Sequence, residues 1–379
     1  MTRAAIAGIG ATPLYRASGR TVLDMALDAV RAAVADAGLE VPEVDGVLTY
    51  GLNDTIAVQY LIEGLGLPSV RWHNDIAGGG SQSASILGDA ARAIEAGAAR
   101  TVVVFRSLNG RTGKRLGQSA LRVGAGAEEE FVAPYGMRGP VHLFAMVARR
   151  FLYERGLDEQ DTAAVVLRSR ANAALNERAT RRDPMTLDEY LASPLIASPL
   201  RLVDCCQEND GAAALVVTSV DRARTGGHAP VLIRAAERAG GPGSSNIARA
   251  EDGARLFSHY VAPLVYSAAG LGPSDVDVSL LYDAYAPLQL QQMEDFGLCA
   301  PGKSGELVRS GETAPTGAVP VNPHGGLLSE GSLHGFNNVL EAVRQLRGEA
   351  PANQVPGART ALVAGFGGSY GSAAVLQTA

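Results

Sequence analysis

Cysteine is scarce: the chain of 379 residues has three, Cys205, Cys206 and Cys299. Their number and spacing suit neither a disulfide framework nor a CxxC metal site, which leaves free thiols that pack in a reducing compartment. Basic blocks are missing too. The formal net charge is -6, and Lys and Arg gather only in short clusters such as Arg178, Arg181 and Arg182. Nucleic acid therefore has no electrostatic footprint here, although a local arginine cluster can hold phosphate. No run of about 18 uncharged apolar residues occurs, so no membrane span is expected. The start, Met1-Thr2-Arg3 followed at once by the strand-like Ala4 to Ile9, lacks the apolar core of a signal peptide. A cytoplasmic protein is expected. The glycine-rich turns Gly78-Gly79-Gly80 and Gly365-Phe366-Gly367-Gly368 match neither GxGxxG nor a phosphate loop with its lysine. No NAD, ATP, metal or other tightly bound cofactor is expected.

What is present is apolar and regular. Hydrophobic residues make up 46% and charged residues 19%, enough for a large core. Strand-like Ala4 to Ile9 is followed by Val22 to Ala37, with Leu23, Ala26, Leu27, Val30 and Val34 at helical spacing, and then by strand-like Gly46 to Tyr50. A helix from about Ser83 to Ala96 and a buried-type strand Thr101 to Phe105 continue the alternation. A layered α/β fold follows.

The pattern then repeats. Ala37-Gly38-Leu39, Val44-Asp45 and Tyr50 match Ala269-Gly270-Leu271, Val276-Asp277 and Tyr282 at one constant offset. The turn and helix after Gly78 correspond in order to Gly325 through Arg347, and Arg100 to Val104 resembles Arg359 to Val363. Residues 107 to about 200 break the period with a polar stretch, Asn109 to Gly117, and helices near Val141 to Arg155 and Thr162 to Asn176. The expected organisation is a first half over 1–228 carrying this inserted loop domain, and a second half over 229–379.

Duplicated α/β halves with glycine-rich turns before helices resemble the thiolase superfamily, in the branch of the sterol-carrier-protein-x thiolases and their steroid side-chain aldolase relatives. The carrying segments are Asn109-Gly110-Arg111, Ser193 to Asp204 leading into Asp210-Gly211-Ala212-Ala213, Tyr282-Asp283-Ala284-Tyr285, Asn322 to Gly335, and Gly365 to Gly368. The resemblance implies two pseudo-symmetric βαβαβαββ halves in a five-layer αβαβα sandwich. It also implies an acyl-CoA substrate, a homodimer, and a small companion protein with an OB-fold and a zinc ribbon, giving a heterotetramer.

Set against the family pattern, the catalytic thiols are gone. Gly80 stands at the position of the nucleophilic cysteine, Gly365 at that of the second, and Ala284 at that of the third. Of the two histidines that hold the thioester oxygen, the first position is Tyr282 and the second is Ser332. The aldolase relatives carry tyrosine at both, so Tyr282 fits them and Ser332 departs. His334 or His324, in the same turn as Ser332, is a candidate for the lost polar group.

Retro-aldol cleavage of a bulky β-hydroxyacyl-CoA, such as a steroid side-chain thioester, suits a site without a nucleophile. It needs a base for the hydroxyl proton and donors for the enolate oxygen. Tyr282 is the candidate donor or proton carrier, and His334 or His324 titrates closer to neutrality as a base. Backbone N–H groups near Gly325-Gly326 or Gly367-Gly368 are candidate oxyanion donors. Ser332 also suits a helix N-cap, and Asp283 an anchor for its turn. Arg111, Lys114 and Arg115 are candidates for the CoA phosphates, though such a loop cluster equally suits solvated surface. A non-catalytic acyl-CoA-binding or scaffolding subunit is the competing expectation, and thiolysis through a serine ranks last for want of an adjacent base.

Overall fold

Apolar side chains alternate between the two faces of almost every strand, and that alternation sorts the core into layers. The computed structural model describes residues 4–113, 115, 133–137, 139–242, 255–350 and 353–379. The chain opens with β1 (Ala4–Ala11), α1 (Val22–Asp36), β2 (Gly46–Gly51), α2 (Val58–Leu65), β3 (Trp72–Ala77), α3 (Ser85–Glu95) and β4 (Thr101–Asn109). Helices α4 (Pro140–Arg155), α5 (Glu159–Ala174) and α6 (Leu187–Ala192) and the small hairpin β5 (Leu195–Ala197) and β6 (Leu200–Arg201) precede β7 (Asp210–Ser219) and α7 (Val220–Ala223). The second half holds β8 (Val231–Gly240), α8 (Phe257–Ala269), β9 (Val278–Leu280), α9 (Ala286–Asp295) and α10 (Ser304–Arg309). It closes with α11 (Gly326–Ser329), α12 (Phe336–Arg347), β10 (Thr360–Phe366) and β11 (Tyr370–Thr378).

The strands form one sheet in the order β3-β2-β4-β7-β1-β8-β11-β10-β9, whose halves join where Ala5 and Ile6 pair with Leu232 and Val231. On β4, Val103 and Phe105 pack outward with Met25 and Val30 of α1, while Val102 and Val104 pack inward with Leu87 of α3 and Val339 of α12. On β10, Ala361 and Val363 join that same inner cluster, and Leu362 and Ala364 pack outward with Val261 and Val265 of α8. The layers are therefore α1, first half-sheet, α3 with α12, second half-sheet, α8: the thiolase-like five-layer arrangement.

Local sequence explains the elements. Thr21 caps α1 by accepting the Asp24 N–H, and buried Met25, Ala26, Ala29, Val30, Ala33 and Val34 form its apolar stripe. The helix lies so close to β1 that a Cβ at Gly8 would sit 2.2 Å from the Ala33 carbonyl oxygen. The repeat is visible in hydrogen bonds. Asp45 accepts the N–H groups of Arg100 and Thr101, and Asp277 accepts those of Arg359 and Thr360. Each carboxylate thus ties the start of one strand to the next. Among the described residues no helix is long and apolar enough to cross a membrane.

Candidate active site

Parallel strands of both halves end at one cavity of about 1360 Å³. Ligand crevices in α/β folds open at the carboxyl ends of strands, and this one follows that rule twice. Leu108 and Asn109 end β4, with Arg106 buried further back in the same strand; Asp54 follows β2, Tyr282 follows β9, and Phe366 ends β10. From the segments that lead into the central-layer helices α3 and α12 come the turn at Gly80 and the segment Ser332 to His334.

Gly80 is built around its neighbour. A Cβ there would meet the Tyr282 hydroxyl oxygen at 2.3 Å, so the phenol fills the space into which a side chain at this position would project. The Tyr282 ring packs on Phe366 at 5.7 Å between centroids. Burial pushes its pKa well above the ordinary tyrosine value. It is a neutral donor, and proton abstraction by a phenolate is out of reach at neutral pH.

His334 lines the cavity beside the same turn, since a Cβ at Gly79 would lie 3.7 Å from its Nδ1. That Nδ1 is 2.9 Å from Arg106 Nη2, and Arg106 Nη2 donates to Asp54 Oδ2 at 2.7 Å. A guanidinium has no acceptor, so Nδ1 must accept and the ring proton sits on Nε2. Burial, then the charge of Arg106, pulls the His334 pKa down, against Asp54, which raises it. For Asp54 burial acts upward, yet Arg106 and His334 hold its carboxyl below the usual range. His334 is thereby a neutral imidazole with an Nε2–H donor, which removes the base role expected for it.

Ser332 also lines the cavity, but its oxygen accepts the His334 N–H at 3.3 Å. Gly335, not Ser332, is the N-cap of α12, so the capping expectation is corrected: the serine shapes a local turn. His334 needs that support, because its φ of 50° lies in the left-handed region. Tyr50 adds to it by donating to the His334 carbonyl at 2.9 Å.

The other expected residues divide. Gly367 lines the cavity; Gly368 does not, and its carbonyl accepts the Phe257 N–H. His324, Gly325 and Gly326 are buried away from the cavity wall. His324 Nε2 contacts Asn338 Oδ1 at 3.1 Å, the Gly325 carbonyl accepts from Ser169, and Gly326 packs against Asp283. Asp283 anchors the first turn of α11 by accepting the Leu327 and Leu328 N–H groups. Arg111 and Arg115 line the cavity, Arg115 in an ion pair with Glu208 at 2.5 Å. Lys114 lies outside the described residues. Missed in the sequence were Arg106, Asp54 and Arg170; an arginine inside the apolar run of β4 was the available signal.

Residues 242–377 match the family model for a thiolase C-terminal domain-like region. The chain is 38% identical over 354 residues to a steroid side-chain-cleaving aldolase of Thermomonospora curvata, covering 91% of this chain and 90% of that one. The chain belongs to the thiolase superfamily, with the steroid side-chain-cleaving aldolases. It is also 38% identical over 372 residues to a 17-hydroxy-3-oxo-4-pregnene-20-carboxyl-CoA lyase of Mycobacterium tuberculosis, covering 95% of each. A solved structure described as an Ltp2-ChsH2(DUF35) aldolase superposes with a TM-score of 0.93 at 36% identity, over 99% of this chain and 98% of that one.

Proposed function

We propose that this member of the superfamily is an acyl-CoA aldolase, cleaving a bulky β-hydroxyacyl-CoA of the steroid side-chain class into a ketone and a shorter acyl-CoA. The observation that carries the reading is the Tyr282 hydroxyl standing where a side chain at Gly80 would project. The nucleophile's place is taken by a donor, so a covalent acyl-enzyme has no foothold and a non-covalent route does.

In that route the β-hydroxyl passes its proton to solvent water in the cavity, its oxygen forms the ketone carbonyl, and the Cα–Cβ electron pair passes into the thioester as an enolate. The α-carbon then takes back one proton, so the step balances without a co-reactant. Tyr282 Oη and His334 Nε2–H, two neutral donors flanking the Gly79-Gly80 turn, hold the enolate oxygen. Donors of this kind are effective because burial leaves them fixed in orientation and weakly screened. Arg106 and Asp54 act through His334 as positioning residues. Phe144 and Phe366, with ring centroids 4.8 Å apart, give the cavity an apolar wall suited to a hydrocarbon skeleton.

The assembly we infer is a homodimer joined by a DUF35-type companion of the OB-fold and zinc-ribbon kind. Its support is the superposed relative and the apolar rim at the cavity, where Ile196 and Leu202 are exposed with Leu195 beside them. The test is to purify the chain with such a companion, supply a β-hydroxyacyl-CoA with a tertiary alcohol, and follow the ketone and the shorter acyl-CoA by mass spectrometry. Both products are expected from the wild type. Binding without turnover overturns the reading in favour of a scaffolding subunit, and a trapped acyl adduct overturns it in favour of thiolysis.

A further inference from the structure

Arg170, one turn before the C-terminal end of α5, lines the cavity yet is only 7% exposed. Its guanidinium makes no hydrogen bond or ion pair with the described residues. A charge so placed is costly unless something neutralises it. Its surroundings make matters worse. Burial first and then the charge of Arg181 lower its pKa, and only Asp183 acts against them. Arg181 lines the same wall, with its Nε donating to Gln207 Oε1 at 3.1 Å, which leaves its two terminal nitrogens for another acceptor. Two guanidinium groups therefore face one carboxylate, whereas Arg115, expected from the sequence to meet phosphate, already faces Glu208.

We propose that Arg170 and Arg181 form the phosphate-binding site for the coenzyme A part of the substrate. The inference rests on the acyl-CoA reading above and locates the end of the ligand that does not react. A guanidinium fork matches phosphate oxygens in geometry and charge. The cavity of about 1360 Å³ exceeds the roughly 300–1,000 Å³ of pockets for drug-sized ligands, as a steroid thioester of CoA requires. The two ends are also joined along one segment. Gln207, which holds Arg181, lies two residues from Asn209, whose side chain accepts the Ser332 N–H at 3.1 Å.

Calorimetric titration of the full chain with CoA, dephospho-CoA and pantetheine tests this without relying on turnover. Arg170→Gln and Arg181→Gln are each expected to weaken CoA roughly 10- to 100-fold, the range for a hydrogen bond to a charged group, and to leave pantetheine unchanged. If dephospho-CoA follows CoA, the site holds the diphosphate; if it follows pantetheine, the site holds the 3′-phosphate. Arg170→Gln removes a buried unpaired charge, so its melting temperature should hold or rise. Arg181 is exposed and gives a second variant free of folding effects. Unchanged CoA binding in both variants, equal weakening of CoA and pantetheine, or no CoA binding by the wild type overturns the inference. Arginine-dependent CoA binding without cleavage would fail the aldolase reading alone, and cleavage indifferent to both substitutions would fail this inference alone.

Discussion

Arg106 Nη2 lies 2.9 Å from His334 Nδ1, joining a strand of the first half to the glycine-rich turn of the second. The contact decides both the charge and the tautomer of the imidazole. Burial and the guanidinium together hold the ring neutral where an ordinary histidine would protonate.

The acid limb of the pH profile should report this. The neutral ring is the active form and its pKa is lowered, so kcat/KM is retained as pH falls through about 6.5, the ordinary histidine value. A histidine of ordinary pKa would instead lose about tenfold by pH 5.5. On the alkaline side the raised Tyr282 pKa keeps its proton beyond the usual tyrosine range. A kcat/KM profile with a histidine inflection near neutrality would contradict the assigned tautomer.

Removing either donor should cost catalysis far more than folding. Tyr282→Phe keeps the ring against Phe366 and loses only the hydroxyl; by analogy with an oxyanion-hole donor, kcat should drop about 100- to 1,000-fold. His334→Ala is expected to fall in the same range. Product formation and a melting curve on the same preparation separate the two effects. A change in kcat of less than threefold for either would remove that residue from the site.

The tight fit at Gly80 gives a stability test. Gly80→Ala drives a methyl group against the Tyr282 hydroxyl, an overpacking worth about 1–3 kcal/mol. Gly80→Ala with Tyr282→Ala should cost less than the sum of the two single changes, by about 0.5–3 kcal/mol of coupling. Denaturant midpoints of the four proteins measure that term, and strict additivity would show the clash is relieved elsewhere.

The two repeat-related aspartates should differ in weight. Asp45 is buried and accepts two backbone N–H groups, so Asp45→Ala should cost about 1.5–3 kcal/mol. Asp277 makes the equivalent bonds from an exposed position, so Asp277→Ala should cost less. Equal losses in urea unfolding would rule out burial as the cause of the difference.

Those aspartates also show why the fold was legible. The constant offset between Asp45 and Asp277 survives because both perform one backbone task, and such a task leaves a fixed mark in the sequence. The strand and helix periods of α1, α3 and β4 were legible for the same reason: each apolar position answers to one layer of the core. Tyr282 and Gly80 could be placed by motif order. Choosing between His324 and His334 could not, since they share a turn and differ only in how the backbone rotates the second toward the cavity. Arg106 and Asp54 meet across 52 residues of chain, and Arg170 and Arg181 converge only once α5 has packed. Long-range pairings of this sort leave no local period to read.

The contact between Gly80 and the Tyr282 hydroxyl also bears on descent. On the resemblance that puts a thiolase's cysteine at position 80, a cysteine there would meet the Tyr282 hydroxyl, and a smaller residue at 282 without the cysteine would leave the site with neither chemistry. Reversal would need two substitutions at once, from opposite halves of a duplicated chain, with no functional single step between them. Once made, the exchange of a thiol for a phenol acts as a ratchet, and lineages carrying this pair are expected to stay on the lyase side of the superfamily.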